Sequence, residues 1–596
     1  MPDRRISKDG NVAIYVFWSQ KKTLDTNTLS YVQELLSVAE LVLFVSNSPL
    51  DPLEVSKIEA LGVSFLQREN FGYDFWGWKE GIEKLEDKIK NAKNLILCNS
   101  SCFLAFNSLA SLLERMNDDS DIWGISSFKD SEVPFHLQSY FLVFKRKVLN
   151  KWESFISFWS NLPEMSEWGE AVSYGELRLT TYYLNKGFKC RAVVNPTSLP
   201  SIDVNPSFYN PVELFQQGSP FLKKKIFLED YREALRNSYG SAASFAMEYV
   251  KEQGGRYEEI LSELIERCSP THLALTLHLN YFINASRETD IGLNKTAVIC
   301  FVYYEDMIQY MSEILMRFTN LCDVYIVSTK LKLLEEYQTK IPLNEHKIEF
   351  RLQENRGRNE GAYFITCKDV WRNYEYVCAL HDKKSAHVKP SSLGMDFMKH
   401  CEQNLCPSKN SIKEVINLFE TNPLLGMLVP PLPFFGNFIF SAYNPMGRNH
   451  RSISHLNNSI FSKKLFSSKS EIDVTCAPLG GMFWARSKAL SLLSQSSITF
   501  ENFPTEPLKS TDGTILHAIE RCYPMIAKAE GYYTAKLANI KYQSILFDNI
   551  SYITLRLSLK ERIIFLSRMI LKKALSNSPF IFHLAKGFYK KISKLK

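Results

Sequence analysis

The 596-residue chain has no run of 18 uninterrupted apolar residues, which excludes a membrane-spanning helix of ordinary length. Its first ten residues are polar and charged, so no secretory leader is expected there. Twelve cysteines occur without a Cys-x-x-Cys pair; Cys98/Cys102 and Cys401/Cys406 are the closest. That spacing argues against a disulfide framework and for buried free thiols in a reducing cytoplasm. His400 stands beside Cys401, yet no four ligands have zinc spacing, and no metal residue is assigned.

A basic body is also missing. The net charge is +7, but residues 551–596 hold eleven Lys/Arg against one Glu. Removing that +10 tail leaves the other 550 residues at −3, which disfavours a nucleic-acid partner.

What is present is a soluble-type composition, 45% apolar and 23% charged, long enough for two or three domains. β-Branched and aromatic runs (11–18, 41–45, 63–66, 95–98, 122–126, 138–144, 190–194) alternate with helical spacings (28–39, 52–61, 76–85, 103–116). The order restarts at 296–303, with 311–318, 323–328 and 376–380 following. Strands alternating with helices predict α/β modules with mostly parallel, helix-covered sheets. The expected organisation is a first Rossmann-like module at 11–205, a helical bridge at 206–293, a second module at 294–545 and a basic amphipathic tail at 546–596. The bridge could equally extend the first module. The second module carries an insertion at about 386–475, either a cover for a substrate or a helical packing subdomain.

Two turns organise this reading. Asn70-Phe71-Gly72-Tyr73-Asp74 and Asn355-Arg356-Gly357-Arg358-Asn359 each follow a short apolar strand, 285 residues apart. An Asn-x-Gly turn after a strand brings backbone N–H groups and a short amide to the sheet edge where open α/β folds bind ligands. Asn70, Gly72, Asp74, Asn355, Arg356, Gly357 and Arg358 are therefore candidate contacts to a nucleotide-activated sugar. At the next strand end the first module has Asn99-Ser100-Ser101; the second has His381-Asp382-Lys383-Lys384. With one acidic residue there, phosphate is expected to meet the cations Arg356, Arg358, Lys383 and Lys384 directly, unless these form an ordinary solvated loop. His381 and Asp382 join the same set. These motifs fix no cofactor, and a divalent metal stays open.

Asp512 precedes the helical stretch His517 to Arg521 and is either its N-cap or the general base of sugar transfer, with Glu176 as its match in the first module. Gly480-Gly481-Met482-Phe483-Trp484 reads as a close backbone approach beside an aromatic wall, or as a buried strand with a bulge. On the first reading Gly481, Phe483, Trp484, His517, Glu520 and Arg521 contact the sugar or acceptor. The tail mixes Leu559, Ile563, Leu566 and Ile570 with Arg562, Arg568, Lys572 and Lys573, suiting an anionic membrane face or a packing helix.

ENFGYDFWGWKEGI (69–82), ENRGRNEGAYF (354–364), LHDKKSAH (380–387), GGMFWAR (480–486) and DGTILHAIER (512–521) together resemble the rhamnan synthesis protein F family. The resemblance spans about 11–545. It implies tandem GT-A-type glycosyltransferase modules in cell-surface polysaccharide or lipopolysaccharide assembly, with a nucleotide-activated sugar, often rhamnose, as donor and a glycan or lipid-linked glycan as acceptor. The expected place is the cytoplasm, peripheral at the inner face of the plasma membrane. The alternative is a non-catalytic glycan- or nucleotide-sugar-binding assembly factor. The family usually has Asp where this chain has Asn359; the first module keeps Asp74.

Overall fold

A computed structural model describes residues 7, 10–129, 133–194, 205–285, 291–293, 295–342, 345–384, 392–436, 438–466, 472–508, 510 and 512–555. The tail from 556 onward lies outside the described residues, as does part of the expected insertion. The chain forms two compact units, residues 1–264 and 265–596.

In the first unit the strands are β1 (Asn11–Phe17), β2 (Leu41–Ser46), β3 (Ser64–Gln67), β4 (Asn94–Asn99), β5 (Cys102–Leu104), β6 (Ile122–Gly124), β7 (Ser127–Phe128), β8 (His136–Leu137), β9 (Phe141–Lys145), β10 (Cys190–Ala192) and β11 (Phe221–Lys223). Seven of them make one sheet in the order β10-β6-β9-β4-β1-β2-β3. β9 runs antiparallel to both neighbours, and the other pairings are parallel. β1 is buried along almost its whole length, as its β-branched and aromatic residues require at a sheet centre. Side chains alternate between faces. Ile14 and Val16 pack with Phe75, Trp78 and Ile82, while Tyr15 and Phe17 pack with Tyr31, Val32 and Leu35.

The second unit repeats this plan with β12 (Asn280–Ile283), β13 (Thr296–Phe301), β14 (Asp323–Ser328), β15 (Ile348–Leu352), β16 (Tyr376–His381), β17 (Leu425–Val429), β18 (Phe483–Arg486) and β19 (Tyr533–Asn539). Its order is β12-β19-β17-β18-β16-β13-β14-β15, again with one antiparallel strand, β18, beside the parallel set. The chain is thus an α/β protein of two mostly parallel, helix-covered modules.

Strand register aligns the modules residue by residue. Val16 pairs with Asn99 and Phe301 with His381, so Asn99 corresponds to His381 and Ser100 to Asp382. Leu97 pairs with Leu142 and Ala379 with Phe483, which sets Ser139 against Gly480.

Three expectations are corrected. The stretch 206–293 is not a purely helical bridge: β11 pairs with β5 inside the first unit, and β12 is an edge strand of the second sheet. The helix expected over 103–116 begins only at Leu109, because Cys102–Leu104 is drawn into that pairing. The expected insertion also contains β17, the counterpart of β6, so the extra length falls on both sides of a sheet strand. In each case the partner strand is distant in sequence, which local periodicity does not register.

Candidate functional site

Open α/β sheets bind their ligands in the crevice outside the carboxyl ends of their parallel strands, and each unit has such an edge. In the second unit the turn after β15 carries Gly357 at φ 78° and Arg358 at φ 45°, both left-handed. The first unit does the same with Gly72 at 66° and Tyr73 at 52°. A non-glycine residue in this region is uncommon, and its recurrence marks a turn held in shape by its surroundings. Asn355 is exposed at this turn. Arg356 bridges Thr505 through its backbone; its buried Nε has no hydrogen-bond partner. Arg358 forks onto Glu506 at 2.7 and 3.0 Å, which offsets much of its charge.

At the end of β16, Asp382 Oδ2 accepts the backbone N–H groups of Tyr303 and Tyr304, both at 2.8 Å. Its Oδ1 is buried without a partner. Burial outweighs those donors and raises the carboxyl to about 6. His381 is buried between the carbonyls of Asp382 and Gly480. Burial, with Lys383 beside it, lowers its pKa to about 4 against the pull of the two carbonyls. Lys384 pairs with exposed Asp306. Lys383 points inward: its Nζ lies 4.5 Å over the Phe397 ring, and its charge is felt at His381 and His517.

The segment before β18 closes the cleft. Gly480 and Gly481 have φ of 96° and 71°. A Cβ on Gly481 would stand 2.7 Å from Asn359 Nδ2, and one on Gly480 would stand 2.6 Å from the Phe397 ring. The close approach is real, but protein atoms make it. Glu520 Oε1 accepts the Gly480 N–H at 3.0 Å. Glu360 contacts Asn359 Nδ2 at 3.1 Å and the Tyr523 hydroxyl. Burial pushes its carboxyl up to about 8, so at neutral pH it is mostly an uncharged acid.

The aromatic wall is absent from the cleft. Phe483 and Trp484 are fully buried. Phe483 packs against Tyr363, Trp371 and Tyr523. Trp484 points to the other face, beside Phe318, and donates its indole N–H to Leu405 O at 3.0 Å. Both are core residues because helices cover both faces of the sheet.

Asp512 also has a structural task. It accepts from Arg448 N–H at 3.0 Å and Asn449 Nδ2 at 2.8 Å, with Arg521 Nη2 at 3.6 Å. Burial opposes ionisation, but these partners together hold the carboxyl below its usual range, which makes it a weak base. The N-cap of the helix is Thr514, not Asp512. Arg521 is buried and donates to Pro445 O and His517 O. His517 contacts Thr514 Oγ1 at 2.8 Å. Asp512 and Arg521 therefore clamp the 445–449 loop. Of the expected set, Asp382, Lys383, Gly480, Gly481, His517 and Glu520 gather at one sheet edge, beside the turn that carries Asn359.

In the first unit, Asp74 Oδ2 accepts from Asn99 Nδ2 at 2.8 Å, and burial raises its pKa to about 6 against the pull of Lys223 and Asn99. Ser100 Oγ accepts the Trp18 N–H at 3.1 Å, the place Asp382 fills in the second unit. Lys223 Nζ donates to Ser101 Oγ at 3.3 Å. Gly72 donates its N–H to Met165 O at 3.2 Å, and Asn70 is exposed. Glu176 Oε2 accepts the Ser139 N–H at 2.8 Å. The match of Glu176 is therefore Glu520, not Asp512, since Ser139 and Gly480 are in register. A signal existed: Glu176 stands 37 residues after Ser139 and Glu520 stands 40 after Gly480. Glu360, Lys223 and the pairing of Glu520 were not anticipated.

Among the described residues no three His, Cys, Asp or Glu side chains converge as a metal cage. A magnesium ion can be held by one or two carboxylates with substrate phosphates completing its shell, and Asp382 Oδ1 is placed to supply one.

A family model described as rhamnan synthesis protein F matches residues 42–532. Among curated proteins, the uncharacterized protein y4gN of Sinorhizobium fredii is 27% identical over 192 residues, 32% of this chain and 50% of that protein. Virulence protein VirA of Vibrio anguillarum is 26% identical over 198 residues, 28% of this chain and 62% of that one. The chain thus spans about half to three fifths of the length of these relatives. Among solved structures, the glycosyltransferase GlyE of Streptococcus pneumoniae aligns over 69% of this chain and 99% of its own at 11% identity, with a TM-score of 0.23. A 4-diphosphocytidyl-2C-methyl-D-erythritol synthase aligns over 31% and 88% at 13% identity, with a TM-score of 0.22.

Proposed function

The chain belongs to the rhamnan synthesis protein F family, and we propose that it is a GT-A-type glycosyltransferase whose second unit moves a deoxyhexose, rhamnose, from a nucleotide-sugar to a growing cell-surface polysaccharide. The observation that carries this reading is the gathering of Lys383, Asp382, Glu520 and the Gly480-Gly481 turn at one sheet edge. Lys383 meets the donor diphosphate and offsets the charge that builds on it as the glycosidic bond breaks. Glu520 keeps its Oε1 on the Gly480 N–H and takes the acceptor hydroxyl's proton at Oε2. Glu360, uncharged, and Asn359 shape the floor under Gly481. Were a divalent metal bound, Asp382 would hold it and the ion would supply further charge to the diphosphate; Lys383 already stands in that role.

The test is transfer by the purified chain from nucleotide-activated rhamnose to an oligorhamnoside, with and without EDTA. Expected is an acceptor one deoxyhexose heavier at a rate that EDTA lowers less than about threefold. A chelator that stops transfer would overturn the metal-independent part, and no transfer from any nucleotide-sugar would overturn the enzyme.

The acceptor is a glycan or lipid-linked glycan, and the chain works at the inner face of the plasma membrane. Two features support that place: the helix Ile540–Leu555 exposes Ile540, Ile545, Phe547 and Tyr552, and the basic tail follows it in sequence. Sedimentation with vesicles rich in anionic lipid is expected for the full chain. It should fall sharply at 0.5 M salt or after removal of 556–596; salt-insensitive binding would contradict an electrostatic tail.

A further inference from the structure

We propose that the cleft of the first unit is a saccharide-binding site that takes the glycan rather than the nucleotide diphosphate. The identity of that glycan rests on the function proposed above; the saccharide class rests on the cleft itself.

The register between the modules shows what changed. Where the second cleft has Arg356, Asp382 and Lys383, the first has Phe71, Ser100 and Ser101. Charged groups suited to a diphosphate are replaced by an aromatic ring and hydroxyls. The acidic side chains there are Asp74 and Glu176, beside Lys223, whose Nζ is already on Ser101 Oγ and 4.6 Å over the Tyr140 ring. Arg68 acts on Asp74 from nearby, but its guanidinium is held by Glu80, Asn47 and the Phe71 carbonyl. Sugar hydroxyls suit the same groups, because carboxylates, serine hydroxyls and an asparagine amide accept and donate at once.

The rim supplies the second, independent observation. Trp18, Phe71, Trp168 and Tyr174 are 44%, 37%, 64% and 44% exposed. Three of them are tied to the cleft. Trp18 gives its backbone N–H to Ser100 Oγ, and Phe71 sits in the turn before Asp74. The loop before Trp168 packs on that turn, with Met165 O accepting the Gly72 N–H at 3.2 Å, and Lys225 covers one face of the Trp168 ring. Large aromatics left in water are costly unless something covers them, and flat rings stack on the C–H faces of a pyranose. At the corresponding points of the second cleft stand Tyr303 and Arg356, neither an exposed aromatic platform.

Isothermal titration of the full chain with a rhamnose tetrasaccharide, and separately with uridine and thymidine diphosphates, tests this. Trp18→Ala with Trp168→Ala should weaken tetrasaccharide binding about tenfold or more and leave the diphosphate Kd unchanged. Trp168→Phe, keeping a ring, should restore most of the loss, which a merely structural effect would not. Lys383→Ala should do the reverse. The proposal is overturned if the tryptophan variants weaken diphosphate binding instead, if they leave tetrasaccharide affinity unchanged, or if the wild type binds no tetrasaccharide. If the tetrasaccharide binds through the first cleft while no nucleotide-sugar is turned over, this inference stands and the enzyme reading falls.

Discussion

Glu520→Gln is expected to cut transfer by roughly a thousandfold while leaving the fold and donor affinity in place, the size of effect that removal of a general base produces. Glutamine keeps an oxygen for the Gly480 N–H, so the turn that Glu520 holds at 3.0 Å should survive. What it lacks is the lone pair that takes the acceptor's proton. The loss should appear in kcat, with the nucleotide-sugar Kd within about twofold of wild type. Asp512→Asn gives the contrast. Asp512 organises Arg448 and Asn449 and clamps Arg521. Its substitution should lower stability more than it lowers the chemical step. A Glu520→Gln enzyme at near-normal rate, with Asp512→Asn inactive but folded, would reverse the two assignments.

Lys383→Ala should cost about a hundredfold or more in kcat/KM, the scale seen when one preorganised stabiliser of developing charge is removed. Lys383 differs from its neighbour. Lys384 pairs with Asp306 and is exposed, whereas Lys383 is half-buried against Phe397, and its charge reaches His381 and His517. Lys384→Ala should therefore change the rate by less than about threefold, as expected for an exposed ion pair. Kinetics of both variants at low and high salt would separate a charge acting inside the cleft from one screened at its edge. Equal losses in the two would contradict the placement.

How far the sequence reveals this protein follows from where the information lies. β1 and β13 are legible because they are seven- and six-residue runs rich in β-branched and aromatic residues, as strands buried on both faces are. The two Asn-x-Gly turns are legible because a left-handed residue calls for glycine, and Gly72 and Gly357 both occupy that conformation. β11, β12 and β17 escape because a short strand is defined by a distant partner rather than by its own pattern. Phe483 and Trp484 mislead for a related reason. Consecutive strand residues face opposite sides, and only the helices packed on both sides of β18 show that both rings are interior. Glu520 could have been found by aligning the modules from β9 and β18 forward, which brings it onto Glu176. Asp512 drew attention by chemistry alone, and its hydrogen bonds show that it holds a loop.

The central claim is that the donor's diphosphate sits at the end of β16 in the second unit. A crystal structure of the full chain with a bound nucleoside diphosphate tests it most directly. The expected result is phosphate oxygens within hydrogen-bond reach of Lys383 Nζ, above the Gly480-Gly481 turn and beside Asp382. Phosphates seated instead in the first unit's cleft, against Ser100 and Lys223, would contradict it.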